Sequence, residues 1–507
     1  MDKNLLLAVV LSVAVYGLWF GFAEKRLAHE PERIPISGSV PQASRPEAPP
    51  TTQPARKASL LQDADKDAAE LIKQADKINM DDTEALISPR GAGIVSWRDK
   101  EPLGVVELVS DPQPGFFATW PELAFKRQPQ APGIVYAARR PDGMNVVKEF
   151  LPADKNNLPR LRITLANSGA GSIETGSWSI SLGPGLGTIP SEQEENQKVW
   201  RALGLLIGEK GLKGKLESFS PGEHAGAYRW VGIDNRYFLA AMLPPADFNL
   251  ASNMPPSVTL TAKSQILAAR ESRSWEIPYY LGAKGHGWLS RYEKGLERSI
   301  DFGFFAQLGR FIMSVLTKLH GWTMNWGWSI ILLTVLLQIV LFPLTFKSLK
   351  AMAAMKRLQP EITRMQQKYA KDQSKMHTEL MDLYKKNGAN PLGGCLPMLL
   401  QLPVFYALYN ALRNAWELHG APWIFWIKDL SAKDPYYVLP IVMGALMFFQ
   451  NKMNPPSADP SQAKMMTWMP VIFTVMFLNF PSGLVLYWLT NSLVSAMQQA
   501  TLKKYLA

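Results

Sequence analysis

Polar side chains spaced along one helical face, inside stretches too apolar for water, are what this sequence offers for chemistry. Tyr487, Asn491, Ser495 and Gln498 stand at offsets of 0, 4, 8 and 11, a continuous helical face. Thr334 and Gln338 stand four apart within NWGWSIILLTVLLQIVLFPLT. Gln401 lies in a further apolar run, with Tyr406, Asn410 and Arg413 towards the end of that run. Hydroxyls and amides of this kind exchange hydrogen bonds. Facing lipid they are unfavourable, so they must face protein, water or a polar client. Hydrogen bonding between helices accounts for any one of them. Three stripes in five short helices point instead to a shared polar cavity.

Little else is equipped for covalent chemistry. The single cysteine, Cys395, rules out an intramolecular disulfide. The histidines, His224 and His286 among them, lack metal-ligand spacing. Gly183-Pro184-Gly185-Leu186-Gly187 has neither the lysine of a phosphate loop nor the spacing of a dinucleotide fingerprint, and reads as a turn. Glu192, Glu194 and Glu195 read as a solvated loop. No cofactor or metal is expected, and the chain reads as a non-enzyme. The formal charge of +11 accompanies no nucleic-acid-binding module, so sequence-specific nucleic acid is not an expected partner. An inverted repeat, paired broken helices and a buried acidic coupling residue, the marks of a transporter, are missing too. A polar cavity without fuel or coupling ion suits a passive catalyst of a downhill process.

The elements that must position these stripes follow in order. Residues 5–22 form an apolar run longer than the roughly 7–15 residues of a signal-peptide core, which favours an uncleaved membrane anchor over 1–23. Residues 24–80 read as a proline- and serine-rich flexible linker and then a short charged helix over 59–78. From 81 to 300, alternating runs such as Leu161, Ile163 and Leu165 against Arg160, Arg162 and Thr164 predict an all-β sandwich. Trp178, Ile180 and Leu182 repeat the alternation. Residues 301–323 change to a helical period, with Phe304, Leu308, Phe311, Val315 and Leu319 on one face, as expected of an interfacial amphipathic helix. Trp322, Trp326 and Trp328 supply an aromatic belt.

Residues 324–507 read as five spanning helices, with a basic helical hairpin at 347–390 after the first. Lys347, Lys350, Lys356, Arg357, Arg364 and Lys368 give the hairpin a positive exterior suited to anionic headgroups or a ribosome. Apolar stripes, from Leu349 to Tyr369 and from Met376 to Tyr384, are expected to pack on each other. The later spans fall at about 394–416, 437–449, 468–480 and 483–502, two of them short for a bilayer about 30 Å thick. The positive-inside rule puts the hairpin in the cytoplasm, and hence the β domain outside and the amino terminus inside. The fold class is mixed: a polytopic α-helical membrane protein, anchor plus five-helix core, carrying an external all-β sandwich.

The segments NWGWSIILLT, LQPEI, NPLGGCLPMLLQLPVFYALY, DLSAKDPYYVLPIVMG and FPSGLVLYWLTN resemble the membrane protein insertases of the YidC family, which includes the mitochondrial and chloroplast insertases. MDKNLLL, WVGIDNRYFLAAMLP and YYLGAK resemble the Gram-negative form, with a large periplasmic domain. The resemblance implies an inner-membrane insertase and chaperone working alone or with the Sec translocon. Its partners would be nascent membrane proteins and membrane lipids, with the ribosome and signal-recognition machinery as candidates. It also implies a hydrophilic groove open to cytoplasm and lipid, and a sugar-mutarotase-like sandwich with no catalytic role in insertion.

The groove would be lined by Thr334, Gln338, Gln401, Tyr487, Trp488, Asn491 and Ser495. Thr334 and Tyr487 match family groove positions, and Trp488 stands where a tyrosine is common. Gln338 departs from the family, which usually has an arginine there. Glutamine keeps donors and an acceptor but has no charge, so the groove is expected to work by hydration and hydrogen bonding. The competing readings are a lipid or small-molecule transporter and a membrane-anchored carbohydrate-active protein.

Overall fold

The computed structural model describes residues 68–506 except 81–82, 130–132, 154–156, 194–199, 209–213, 255–256, 370–371, 388–395 and 454–459. The anchor expected over 1–23 and the linker as far as 67 lie outside the described residues. The described residues fall into two compact units. One runs through Lys284 with Trp288–Ser299, and the other holds Gly285–Gly287 and the chain from Ile300 onward.

The first unit is antiparallel β. A nine-stranded sheet runs Leu216–Ser218, Arg201–Leu206, Tyr228–Asp234, Phe238–Met242, Ser272–Ala283, Arg160–Asn167, Met144–Leu151, Ile134–Arg139, Lys126–Arg127 from edge to edge. A four-stranded sheet, Trp178–Leu182, Ser257–Ala262, Phe248–Met254, Gly222–Ala225, packs against it. Trp178 of the smaller sheet meets Trp275 of the larger edge to face, with ring centroids 5.4 Å apart. Leu161, Ile163 and Leu165 point into the core and Arg160, Arg162 and Thr164 out of it, as their alternation requires. At the turn over 183–187 a Cβ on Gly187 would overlap the Glu107 carbonyl, so the backbone passes too close for any side chain.

Two expectations need correction. The helix expected over 59–78 ends by residue 74, because Asp76–Met80 is a strand paired with Thr83–Ile87 in a second four-stranded sheet. Strand pairing overrides the weak helical pattern there. Glu192 is not solvated but forms a half-buried ion pair with Arg236.

Sequence reasoning missed Lys148. It occupies a core position of Met144–Leu151, wholly buried, between inward-facing Val146 and Phe150. Its Nζ donates to the carbonyls of Gly91, Ala92 and Phe117 at 2.8, 2.9 and 2.7 Å. Two of those residues, Ala92 and Phe117, are non-glycine residues held at positive φ. The side chain reinforces two loops that also bond directly, through the Ile94–Phe116 bridge and from Thr119 N to Gly91 O at 3.2 Å.

The second unit is a helical bundle: α1 (Ala306–Thr323), α2 (Trp326–Arg357), α3 (Gln359–Lys368), α4 (Gln373–Lys386), α5 (Leu396–Arg413), α6 (Val438–Met453), α7 (Pro460–Phe477) and α8 (Ser482–Leu506). Among the described residues, α2 is the one helix long and apolar enough to cross a membrane by length and composition. The 16 residues of α6 rise only about 24 Å. The turn from α7 to α8 is tight. It packs on the loop before α6, where Ser482 N and Gly483 N donate to Ala432 O and Leu430 O at 2.7 and 2.9 Å.

α1 is apolar on two sides. Ile312, Met313 and Leu316 are buried against the bundle, while Phe304, just before the helix, and Phe311 stay exposed. The expected hairpin boundary moves. Residues 347–357 continue α2 without a break, since the Ala- and Met-rich AMAAMKR favours helix, and Pro360 sets the start of α3. Lys347, Lys350, Lys356 and Arg357 therefore extend α2, and Arg364 and Lys368 lie on α3; all six are exposed. The two stripes do pack together, with Leu358 and Ile362 against Leu380, Leu383 and Tyr384.

Candidate functional site

Three helices bring the polar stripes together. α2 and α8 pack closely, and α5 meets both more sparingly. Where they converge, Gln338 of α2 donates from Nε2 to Asn491 Oδ1 of α8, and to Ser495 Oγ at 3.3 Å. Gln401 of α5 donates to the same Asn491 Oδ1 at 2.7 Å and to Tyr487 OH at 3.5 Å. Gln338 is only 5 % exposed and Tyr487 2 %. Five of the seven residues expected in the groove thus form one hydrogen-bonded cluster, and every member is uncharged. In an apolar bundle such bonds are worth roughly 0.6–2 kcal/mol each.

The other two lie apart. Thr334 is wholly buried and donates from Oγ1 to Ile330 O, one turn back, at 2.7 Å. A hydroxyl on a helix can satisfy itself this way, which an amide on a longer stem does not. Trp488 sits on the neighbouring side of α8 among aromatic rings, with centroids 4.9, 5.7 and 5.4 Å from those of Phe405, Phe473 and Phe477. One step along a helix turns a side chain about 100°, enough to move Trp488 from the amides to the aromatics.

Among the described residues, the hydrogen bonds of this cluster join uncharged side chains. Arg413 is twelve residues beyond Gln401 on α5, about 18 Å along the axis. Its guanidinium donates to Tyr409 OH at 2.8 Å and lies over that ring. Lys347 and Lys350 are nine and twelve residues beyond Gln338, and both are exposed. Among the described residues, no His, Cys, Asp and Glu cluster could hold a metal ion.

The first end of α2 is clamped, which sequence reasoning did not foresee. The Asn325 side chain accepts from Trp328 N at 3.2 Å as the helix cap. Its Nδ2 donates to Pro422 O and Trp423 O at 3.1 and 3.3 Å. Asp434 caps α6 in the same loop, accepting from Leu439 N at 2.7 Å and Trp426 Nε1 at 3.0 Å. Asparagine directly before a long apolar run was the available signal.

Known proteins match both units. Residues 318–507 match the family model described as 60Kd inner membrane protein, and residues 209–315 that of the YidC periplasmic domain. The chain is similar to the membrane protein insertase YidC of Endomicrobium trichonymphae, 39% identical over 84% of each chain. It is 33% identical to that of Geotalea uraniireducens over the whole of both chains. It is 46% identical to that of Syntrophus aciditrophicus over 54% of this chain and 52% of that one. These matches fit an inner-membrane protein with a periplasmic β domain, and the mixed β-sandwich and helical fold agrees. With identity of this level sustained along both chains, the chain belongs to the YidC family of membrane protein insertases.

Proposed function

We propose that this chain integrates and folds inner-membrane proteins by lowering the cost of carrying a client's polar tail into the bilayer. The uncharged cluster of Gln338, Gln401, Asn491, Ser495 and Tyr487 supports that reading. Its donors and acceptors stand in for water around the tail, where bare hydrocarbon would leave each polar group unpaired at a cost of several kcal/mol. The client's apolar segment slides along the exposed faces of the bundle into lipid. Burial worth about 25 cal/mol per Å² drives the transfer without nucleotide.

In this reading the chain crosses the membrane several times, with its amino terminus and the α3–α4 hairpin in the cytoplasm. The exposed Lys347, Lys350, Lys356, Arg357, Arg364 and Lys368 meet anionic lipid or the ribosome and signal-recognition machinery. The insertase works alone or beside the Sec translocon. Exposed Phe304, Phe311 and Trp322 hold α1 in the interface.

Reconstitution of the full chain in lipid vesicles tests this. A short-tailed client should become protease-protected in vesicles containing the protein and not in empty ones. Gln338→Ala should abolish insertion of a neutral-tailed client, and Gln338→Arg should not restore it. Insertion untouched by Gln338→Ala would refute the role given to the cluster.

A further inference from the structure

A polypeptide in transit carries an N–H and a C=O on nearly every residue, whatever its side chains. The amides joining α2, α5 and α8 present the same two groups as a peptide bond. Gln338 and Gln401 both spend a donor on Asn491 Oδ1. Further along the same face of α8, past Ser495, Gln498 Oε1 is buried and has no hydrogen-bond partner among the described residues. A buried acceptor in that state is unfavourable until some donor reaches it. The helix therefore carries one acceptor satisfied by neighbouring helices and, about two turns on, two awaiting a donor, Gln498 Oε1 on this face and Gln499 Oε1 beside it.

We propose that this face of α8 binds the client's polar segment by its peptide backbone. Backbone N–H groups of an extended segment bond to Asn491 Oδ1 and Gln498 Oε1, and the amides released from Asn491, Gln338 and Gln401, turn to backbone carbonyls. Bonds of one kind replace bonds of the same kind, so the cluster opens at little net hydrogen-bond cost. No member is charged, so recognition does not depend on the charge of the client's side chains. The inference rests on the insertase reading above and adds what that reading leaves open, the chemical group recognised.

The test uses the full chain in vesicles of phosphatidylethanolamine and phosphatidylglycerol. The single-span client has an uncharged tail in two versions, one all-amide and one with alternate peptide links replaced by esters. The ester removes N–H donors and leaves the side chains alone. A groove that acts only as a wet solvent should pass the ester tail at least as fast, because it has fewer donors to dehydrate. Backbone binding should slow it by roughly three- to tenfold. Asn491→Leu and Gln498→Leu should each shrink that preference by about twofold or more. Gln498→Leu removes an acceptor with no partner among the described residues, so it tests the inference even if Asn491→Leu fails to fold. Equal or faster passage of the ester client, or a preference unmoved by Gln498→Leu, overturns the proposal and leaves the insertase reading standing. Failure to insert the all-amide client would sink that reading itself.

Discussion

Gln338 and Gln401 lie on different helices and donate to one oxygen, Asn491 Oδ1. That shared acceptor makes Asn491 the joint of the polar cluster, with one bond to α2 and one to α5. Asn491→Leu would take one bond from each of two amides in an apolar bundle, leaving Gln338 only Ser495 Oγ and Gln401 only the long contact to Tyr487 OH. The expected loss is about 1–3 kcal/mol, measured as a lower midpoint of thermal unfolding in detergent. Asn491→Asp keeps an acceptor there and should lose less than Asn491→Leu.

The clamp at the first end of α2 should be sensitive to volume as well as to hydrogen bonding. A Cβ on Gly327 would overlap the Trp423 ring, so Gly327→Ala must push that loop away, at about 1–3 kcal/mol. Asn325→Ala removes the cap and two further bonds, costing about 1–2 kcal/mol or more. Protease sensitivity of the loop at 421–434 should rise in both variants while far-UV circular dichroism stays unchanged.

Lys148 should be among the least replaceable residues of the sandwich. Lys148→Met fills the space but leaves the Ala92 and Phe117 carbonyls without their lysine donor, while Gly91 O keeps its bond from Thr119 N. Unsatisfied buried acceptors cost about 1–3 kcal/mol each, so the β unit should unfold several degrees earlier. Arg162, which forms an exposed ion pair with Glu276 and a part-buried one with Glu149, should be replaceable at about 1 kcal/mol. Equal losses at the two sites would contradict this ranking.

Glu101 should give the β unit an acid-favouring pH dependence. Burial, followed by the nearby Asp99 carboxylate, raises its pKa from 4.5 to about 7. The folded state therefore holds a proton there that the unfolded state has lost, between about pH 4.5 and pH 7. The associated stability is present below that window and falls away as pH rises through it. Thermal melts at pH 5 and pH 8 should differ less for Glu101→Gln than for the unaltered chain. An identical difference would show that Glu101 does not carry the effect.

The sequence by itself determined which side chains share a face within many of the elements. A period of two placed Leu161, Ile163 and Leu165 inside a sheet, because pleating sends successive side chains to opposite faces. A helical period placed Tyr487, Asn491 and Ser495 on one face of α8, and the residue at 338 is an uncharged glutamine. Partners were decided only in three dimensions. Gln338 and Asn491 are 153 residues apart, and their bond depends on how α2 and α8 are rotated about their axes. Thr334 turns to its own backbone, Trp488 to the aromatic side, and Lys148 inward to three carbonyls. Periodicity tells which face a side chain is on, but its bonds depend on which polar groups packing brings within about 3 Å.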